Sequence, residues 1–88
     1  MAHIAILGLG NWGTAVARMW LLEGHKVKGW TIEQDVYESI VMDGVNKKYL
    51  PDHSVEGLEA TMRIDEALDG VEIVVLAIPS SVILDVVD

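Results

Sequence analysis

Ile4-Ala5-Ile6-Leu7-Gly8-Leu9-Gly10-Asn11-Trp12-Gly13-Thr14-Ala15 joins a short apolar run, three glycines spaced G-x-G-x-x-G, and the start of an apolar helical segment. Strand, turn and helix in that order are what a dinucleotide-binding turn requires, and each glycine has its own reason. Gly8 lets the chain turn sharply off the strand. Gly10 lacks the Cβ that would collide with a pyrophosphate, and Gly13 lets the helix pack closely on the sheet. The N–H groups of the helix's first turn, which have no partners inside the helix, then face the phosphates, where the helix dipole also favours negative charge. A glycine-rich turn that binds nothing is the competing reading, and the strand–turn–helix context favours the nucleotide.

Outward from this turn, the first strand (about His3 to Leu7) is apolar on both faces apart from His3, as in the middle of a parallel sheet covered by helices. The helix from Trp12 to about Glu23 carries Ala15, Val16, Met19, Trp20 and Leu22, so the pattern predicts that it is largely buried, with Gly24 ending it. A second strand follows at Lys26 to Trp30, with His25 in the connecting turn. A second helix runs from Glu33 to about Asp43 and stops at Gly44, and Asn46 to His53 reads as a loop. A third strand is placed within Leu58 to Ile64, and a short helix at Asp65 to Leu68. The fourth strand, Glu72 to Ile78, reads as buried on both faces; Pro79 ends it and Ser80 or Ser81 caps a last helix with Val82, Ile83, Val86 and Val87. The alternation predicts an α/β fold, a Rossmann-type open parallel sheet in the order 3-2-1-4 with helices on both faces. A full fold of this kind has six strands, so residues 1–88 read as the N-terminal part of a dinucleotide-binding domain, truncated and without a substrate domain. An unpaired fourth-strand edge and an uncovered apolar helix favour self-association, so a homo-oligomer is expected.

Bulk properties narrow the partners. The 88 residues suit one small domain, and 51% hydrophobic content is too high for a disordered segment. A formal charge of −8 argues against nucleic-acid or anionic-membrane surfaces, so a bound phosphate must be held by backbone donors and a few local groups. Without cysteine there is no disulfide, thiolate metal site or thiol catalysis, and the three histidines are too scattered to suggest a metal. No basic segment precedes the first apolar run and no apolar run is long enough to span a bilayer, so a cytoplasmic location is expected.

The end of the second strand chooses the nucleotide. A carboxylate there can accept the ribose hydroxyls of NAD, and Glu33 in Trp30-Thr31-Ile32-Glu33 is the candidate; the alternative is a charge that favours the next helix's N-terminus. Ile32 offers an apolar face to the adenine. No arginine stands at this corner to pair a 2′-phosphate, so NAD is preferred over NADP, with Lys26 and Lys28 as unforced substitutes. A P-loop is set aside because its lysine is missing after Gly13, whereas a flavin would use the same glycines. Lys47-Lys48 reads as a solvated loop pair or a phosphate attractor, and Ser80-Ser81 lacks the glycines of a nucleophile elbow.

Several blocks together resemble NAD-dependent glycerol-3-phosphate dehydrogenase: Gly8-Leu9-Gly10-Asn11-Trp12-Gly13-Thr14-Ala15; Gly24-His25 and Val27 with Trp30; Asn46 with Lys48-Tyr49-Leu50-Pro51; Glu66-Ala67-Leu68; and Ala77-Ile78-Pro79-Ser80. The resemblance covers essentially the whole chain in order. It implies hydride exchange between NAD(H) and C2 of glycerol 3-phosphate, giving dihydroxyacetone phosphate. It also implies that Gly8, Leu9, Gly10, Asn11, Trp12 and Gly13 hold the pyrophosphate, Asn11 and Trp12 directly, and that Ile32 contacts the adenosine half. Pro79 and Val82 complete the implied cofactor contacts. Three positions depart from the family pattern: Ile32 where bacterial members often carry a basic residue, Asp52 where a glycine usually follows Y-L-P, and Val82 where an aromatic side chain often lies near the cofactor. The family's catalytic lysines and helical substrate domain fall beyond residue 88, so no catalytic residue is expected in this chain, which should be inactive alone. A small phosphorylated substrate belongs only to the full-length enzyme. Other hydroxy-acid or sugar-acid dehydrogenases, and a non-catalytic nucleotide-binding or self-assembling domain, are the alternative functions.

Overall fold

β1 (His3–Leu7) is the axis of the molecule: it pairs in parallel with β2 (Lys26–Trp30) on one side and β4 (Ile73–Leu76) on the other. β3 (Glu59–Thr61) pairs with the far edge of β2, giving one parallel sheet in the order β3-β2-β1-β4. The computed structural model describes residues 1–77. The expected last helix, with Ser80 or Ser81 as its cap, and the end of the fourth strand at Pro79 lie outside them.

Three helices make the crossovers: α1 (Asn11–Leu22), α2 (Gln34–Asp43) and α3 (Ile64–Leu68). Successive strand residues point to opposite faces, so β1 feeds two cores. Ile4 and Ile6, with no exposed surface, pack with Leu9, Ala17, Val27, Val36, Ile40, Val55 and Leu58 on the side of α1 and α2. Leu7 meets Trp30, Ala67 and Ile64 on the side of α3. There the Lys28 ammonium donates to the carbonyls of Asp69 (2.7 Å) and Glu66 (3.3 Å), placing a cation at the negative end of α3.

Strand boundaries that rest on glycine punctuation agree with the pattern, and burial differs from it in two places. α1 buries only Gly13, Thr14 and Ala17, while Trp12, Met19 and Leu22 are exposed. The helix seats on the sheet through a stripe of small residues, and that close approach leaves the larger apolar side chains on its flanks. β4 is exposed rather than buried on both faces: Ile73, Val74 and Leu76 are 43–53% accessible. Among the described residues it sits at the sheet edge, paired only to β1, and α3 lies over β1, β2 and β3 instead. β3 is shorter than its expected window, and α3 starts one residue early, at Ile64.

Candidate functional site

The glycine turn lies at the carboxyl ends of the strands, between β1 and α1. Gly8 has φ 113°, a conformation that side-chain-bearing residues rarely adopt, and its N–H donates to the Trp30 carbonyl at 2.9 Å. That bond ties the turn to the end of β2. A Cβ placed on Gly13 would lie 1.8 Å from the Gly8 carbonyl oxygen and 3.2 Å from the Ala77 Cβ, so only glycine lets α1 approach this closely. Gly10 is the opposite case. A Cβ there would meet no heavy atom within 4 Å among the described residues. Space is open above the turn at the position where a phosphate group would come closest.

Gly10 is also the N-cap residue of α1 and carries no capping side chain, and the first turn of the helix contains no acidic residue. Donors at this end are therefore available to an anion, and the helix dipole favours one. These features fit a pyrophosphate. Asn11 is exposed and Trp12 is 59% accessible, both beside the opening. Leu9 behaves differently: its side chain is buried in the core, where a Cβ on Gly29 would come within 2.8 Å of it. Its carbonyl is already occupied.

What occupies that carbonyl is Asn46, which has no exposed surface although it stands in a polar loop. Its Nδ2 donates to the Leu9 carbonyl (2.9 Å) and to Thr14 Oγ1 (2.8 Å), and its Oδ1 accepts from the Tyr49 N–H (3.2 Å). One amide thus fastens the glycine turn, the first turn of α1 and the loop after α2 to each other. The fastening carries Lys48 and Tyr49 to the corner after β2. There the Lys48 ammonium pairs with the Glu33 carboxylate and lies 3.9 Å from Asp35, and the Tyr49 hydroxyl donates to both Glu33 oxygens at 2.9 and 3.1 Å. The bond to Glu33 raises the Lys48 pKa above the ordinary lysine range, with partial burial opposing and the Asp35 charge assisting. The same bond to Glu33, helped by burial, pushes the Tyr49 hydroxyl up.

Glu33 therefore stands where the spacing puts it, but its carboxylate already has partners. Its backbone also serves the adjacent helix, since the Glu33 carbonyl accepts from the Tyr37 N–H at 3.1 Å. Ile32 is 63% exposed at the same corner. Lys28 is committed to the end of α3, and Lys47 pairs with Asp43 at 2.8 Å. His25 turns out to be a structural group: its Nδ1 accepts from the Ala2 N–H (2.9 Å) and its ring packs edge-on against Trp20. Pro79 and Val82 lie outside the described residues. Among the described residues, no group of three His, Asp or Glu side chains gathers to hold a metal, and no helix is long and apolar enough to cross a membrane. A cavity of about 530 Å³ opens elsewhere, between the end of α2 and the start of β3, and shares no residue with the glycine turn. Asn46 and Tyr49 have no place in the spacing argument and are singled out only by the block around K-Y-L-P, whereas Lys48 is also read there as one of a solvated or phosphate-attracting lysine pair.

A parallel sheet in this order, with a glycine turn leading into an open helix N-terminus beside the end of β2, defines a dinucleotide-binding domain of the Rossmann class. Residues 3–88 match the family model described as NAD-dependent glycerol-3-phosphate dehydrogenase N-terminus, and the chain belongs to that family. Among its relatives, glycerol-3-phosphate dehydrogenase [NAD(P)+] of Nocardia farcinica is 39% identical over 91% of this chain and 24% of its own length. The Halothermothrix orenii protein of the same name is 42% identical over 89% of this chain and 23% of its own length. The crystal structure of glycerol-3-phosphate dehydrogenase from Coxiella burnetii superposes with a TM-score of 0.83 at 39% identity, covering 90% of this chain and 25% of that one. The chain spans about a quarter of the length of the relatives it matches.

Proposed function

We propose that this chain is the NAD(H)-binding part of a glycerol-3-phosphate dehydrogenase that interconverts glycerol 3-phosphate and dihydroxyacetone phosphate in the cytoplasm. The observation that carries the reading is the open space over Gly10, in front of a helix end that no side chain caps. The first-turn N–H groups of α1 hold the pyrophosphate, Asn11 and Trp12 flank it, and the Ile32–Glu33 corner receives the adenosine. Pro79 and Val82 belong to the proposed nicotinamide side. When bound, the cofactor supplies the hydride; the residues of this chain bind it and fix its direction. Catalytic groups, the small phosphorylated substrate and any self-association of subunits belong to the whole enzyme. NAD is preferred over NADP because the 2′ corner carries two carboxylates, Glu33 and Asp35, against one ammonium, Lys48.

The test is a calorimetric titration of the chain with NADH, alongside Gly10→Val. Gly10 has φ −81° and ψ −158°, an extended conformation with negative φ, and its Cβ direction is free, so the variant should melt close to the parent. Its added methyls fill the phosphate position, and NADH affinity should fall by at least about tenfold, equivalent to ~1.4 kcal/mol. Equal NADH binding by a folded Gly10→Val would remove the pyrophosphate from this turn.

A further inference from the structure

Beside the glycine turn, Glu33 meets Lys48 and Tyr49, 15 and 16 positions further on, in one polar cluster. The turn and the cluster are physically continuous, through the Gly8 N–H on the Trp30 carbonyl and through Asn46 on the Leu9 carbonyl. A ribose at the Ile32–Glu33 corner therefore has a carboxylate and an ammonium within its reach, each engaged with the other. We propose that Lys48 is the 2′-phosphate-accepting residue of this site and that its ion pair with Glu33 withholds it, so that the Glu33–Lys48 pair sets the choice between NAD and NADP. The proposal deepens the dinucleotide reading and rests on it.

Charge and geometry both support this. Glu33 and Asp35 outnumber Lys48 at the corner, so an incoming 2′-phosphate, itself about −2, meets net negative charge. Tyr49 grips both oxygens of Glu33 and keeps that carboxylate a fixed charge rather than one that can swing away. Lys48 is the more exposed partner. Its side chain is 48% exposed against 31% for Glu33, so it can reorient toward a phosphate without disturbing the core. Neutralising Glu33 in place keeps a group that still accepts from Tyr49, removes the repulsion, and leaves Lys48 with only Asp35, 3.9 Å away. Lys28, Lys47 and Arg63 have partners elsewhere.

Calorimetric titration of the chain, Glu33→Gln and Glu33→Gln/Lys48→Gln with NADH and with NADPH tests the assignment. The ratio of the two affinities is the readout, because a general loss of folding weakens both nucleotides and cannot reverse their order. The parent should bind NADH more tightly. Glu33→Gln should move the ratio toward NADPH by about tenfold or more, as expected for a charged contact made at partial exposure, and the double variant should lose that gain. An unchanged ratio in Glu33→Gln, or a gain that survives the loss of Lys48, overturns the proposal while leaving NADH binding intact. In the parent alone, the preference should shrink as salt rises from about 0.05 to 0.5 M, and a salt-independent ratio overturns it as well. A folded parent that binds neither nucleotide overturns the dinucleotide reading and this inference with it.

Discussion

Replacing Asn46 should damage stability far more than a loop position would suggest. Asn46→Ala removes two donated hydrogen bonds and one accepted bond, and it leaves the Leu9 carbonyl and the Thr14 hydroxyl without that partner in residues 2% and 0% exposed. A buried polar group stripped of its partner costs about 1–3 kcal/mol, and the Thr14 hydroxyl can rotate to recover part of its share. The expected total is about 2–4 kcal/mol, a large fraction of the roughly 4–13 kcal/mol expected for a domain of this size. It should lower the melting temperature by about 8–25 °C. Asn46→Asp keeps the volume but turns the donor into an acceptor facing the Leu9 carbonyl. Burial among acceptors raises the folded pKa of the introduced carboxyl above its unfolded value of about 3.9. A raised folded pKa contributes stability that is present below the unfolded value and lost as pH rises through the folded one, so this variant should weaken from pH ~4 toward neutrality relative to the parent. Urea denaturation from pH 4 to 8, followed by the summed fluorescence of the three tryptophans, of which Trp30 is buried, measures both effects. Asn46→Ala within about 0.5 kcal/mol of the parent, or Asn46→Asp tracking the parent across that pH range, would refute the reasoning.

The same denaturation assay reaches two further positions. Gly13→Ala places a methyl 1.8 Å from a backbone oxygen that cannot rotate aside, so it should cost at least about 1–3 kcal/mol; a neutral result would mean that α1 does not sit this close to the turn. Lys28→Met should cost less, about 0.3–1 kcal/mol at low salt, by uncovering the carbonyls at the end of α3, and amide exchange in residues 64–69 should quicken. Unchanged exchange there would show that the lysine does not hold that helix end.

The parts of the molecule legible in the sequence are those decided by local chemistry. β1 and β2 fall on their expected residues because an apolar run leads into the Gly8 turn and an alternating run starts just after the Gly24 turn, and Gly44 stops α2 in a left-handed conformation as its position suggests. The reasons given for Gly8 and Gly13 each have a geometric counterpart, and the Cβ direction of Gly10 is open. An apolar run states that a segment is a strand but not what lies over it, which is why β4 was expected buried and is half open. α1 differs similarly: its composition predicts a largely buried helix, and contact through Gly13, Thr14 and Ala17 buries one side. The Glu33 corner was found by counting from the glycines. Its partners lie 15 and 16 positions further on, brought back by the amide of Asn46, and no periodicity or spacing rule reaches across that loop.

The parallel sheet also sets a timetable. Ile4 and Ile73 are partners, so one edge of the central strand waits for residues made about 70 positions later; at ribosomal rates that is roughly 4–14 s. During that interval the β1–β2 pair can form, yet β1 still offers unpaired backbone groups and an apolar surface to whatever is near. The nucleotide turn matures on the same schedule, because Gly13 packs toward Ala77 as well as Gly8. A nascent chain arrested before residue 73 should therefore be prone to chaperone capture and aggregation, and should acquire protease resistance only once β4 has emerged.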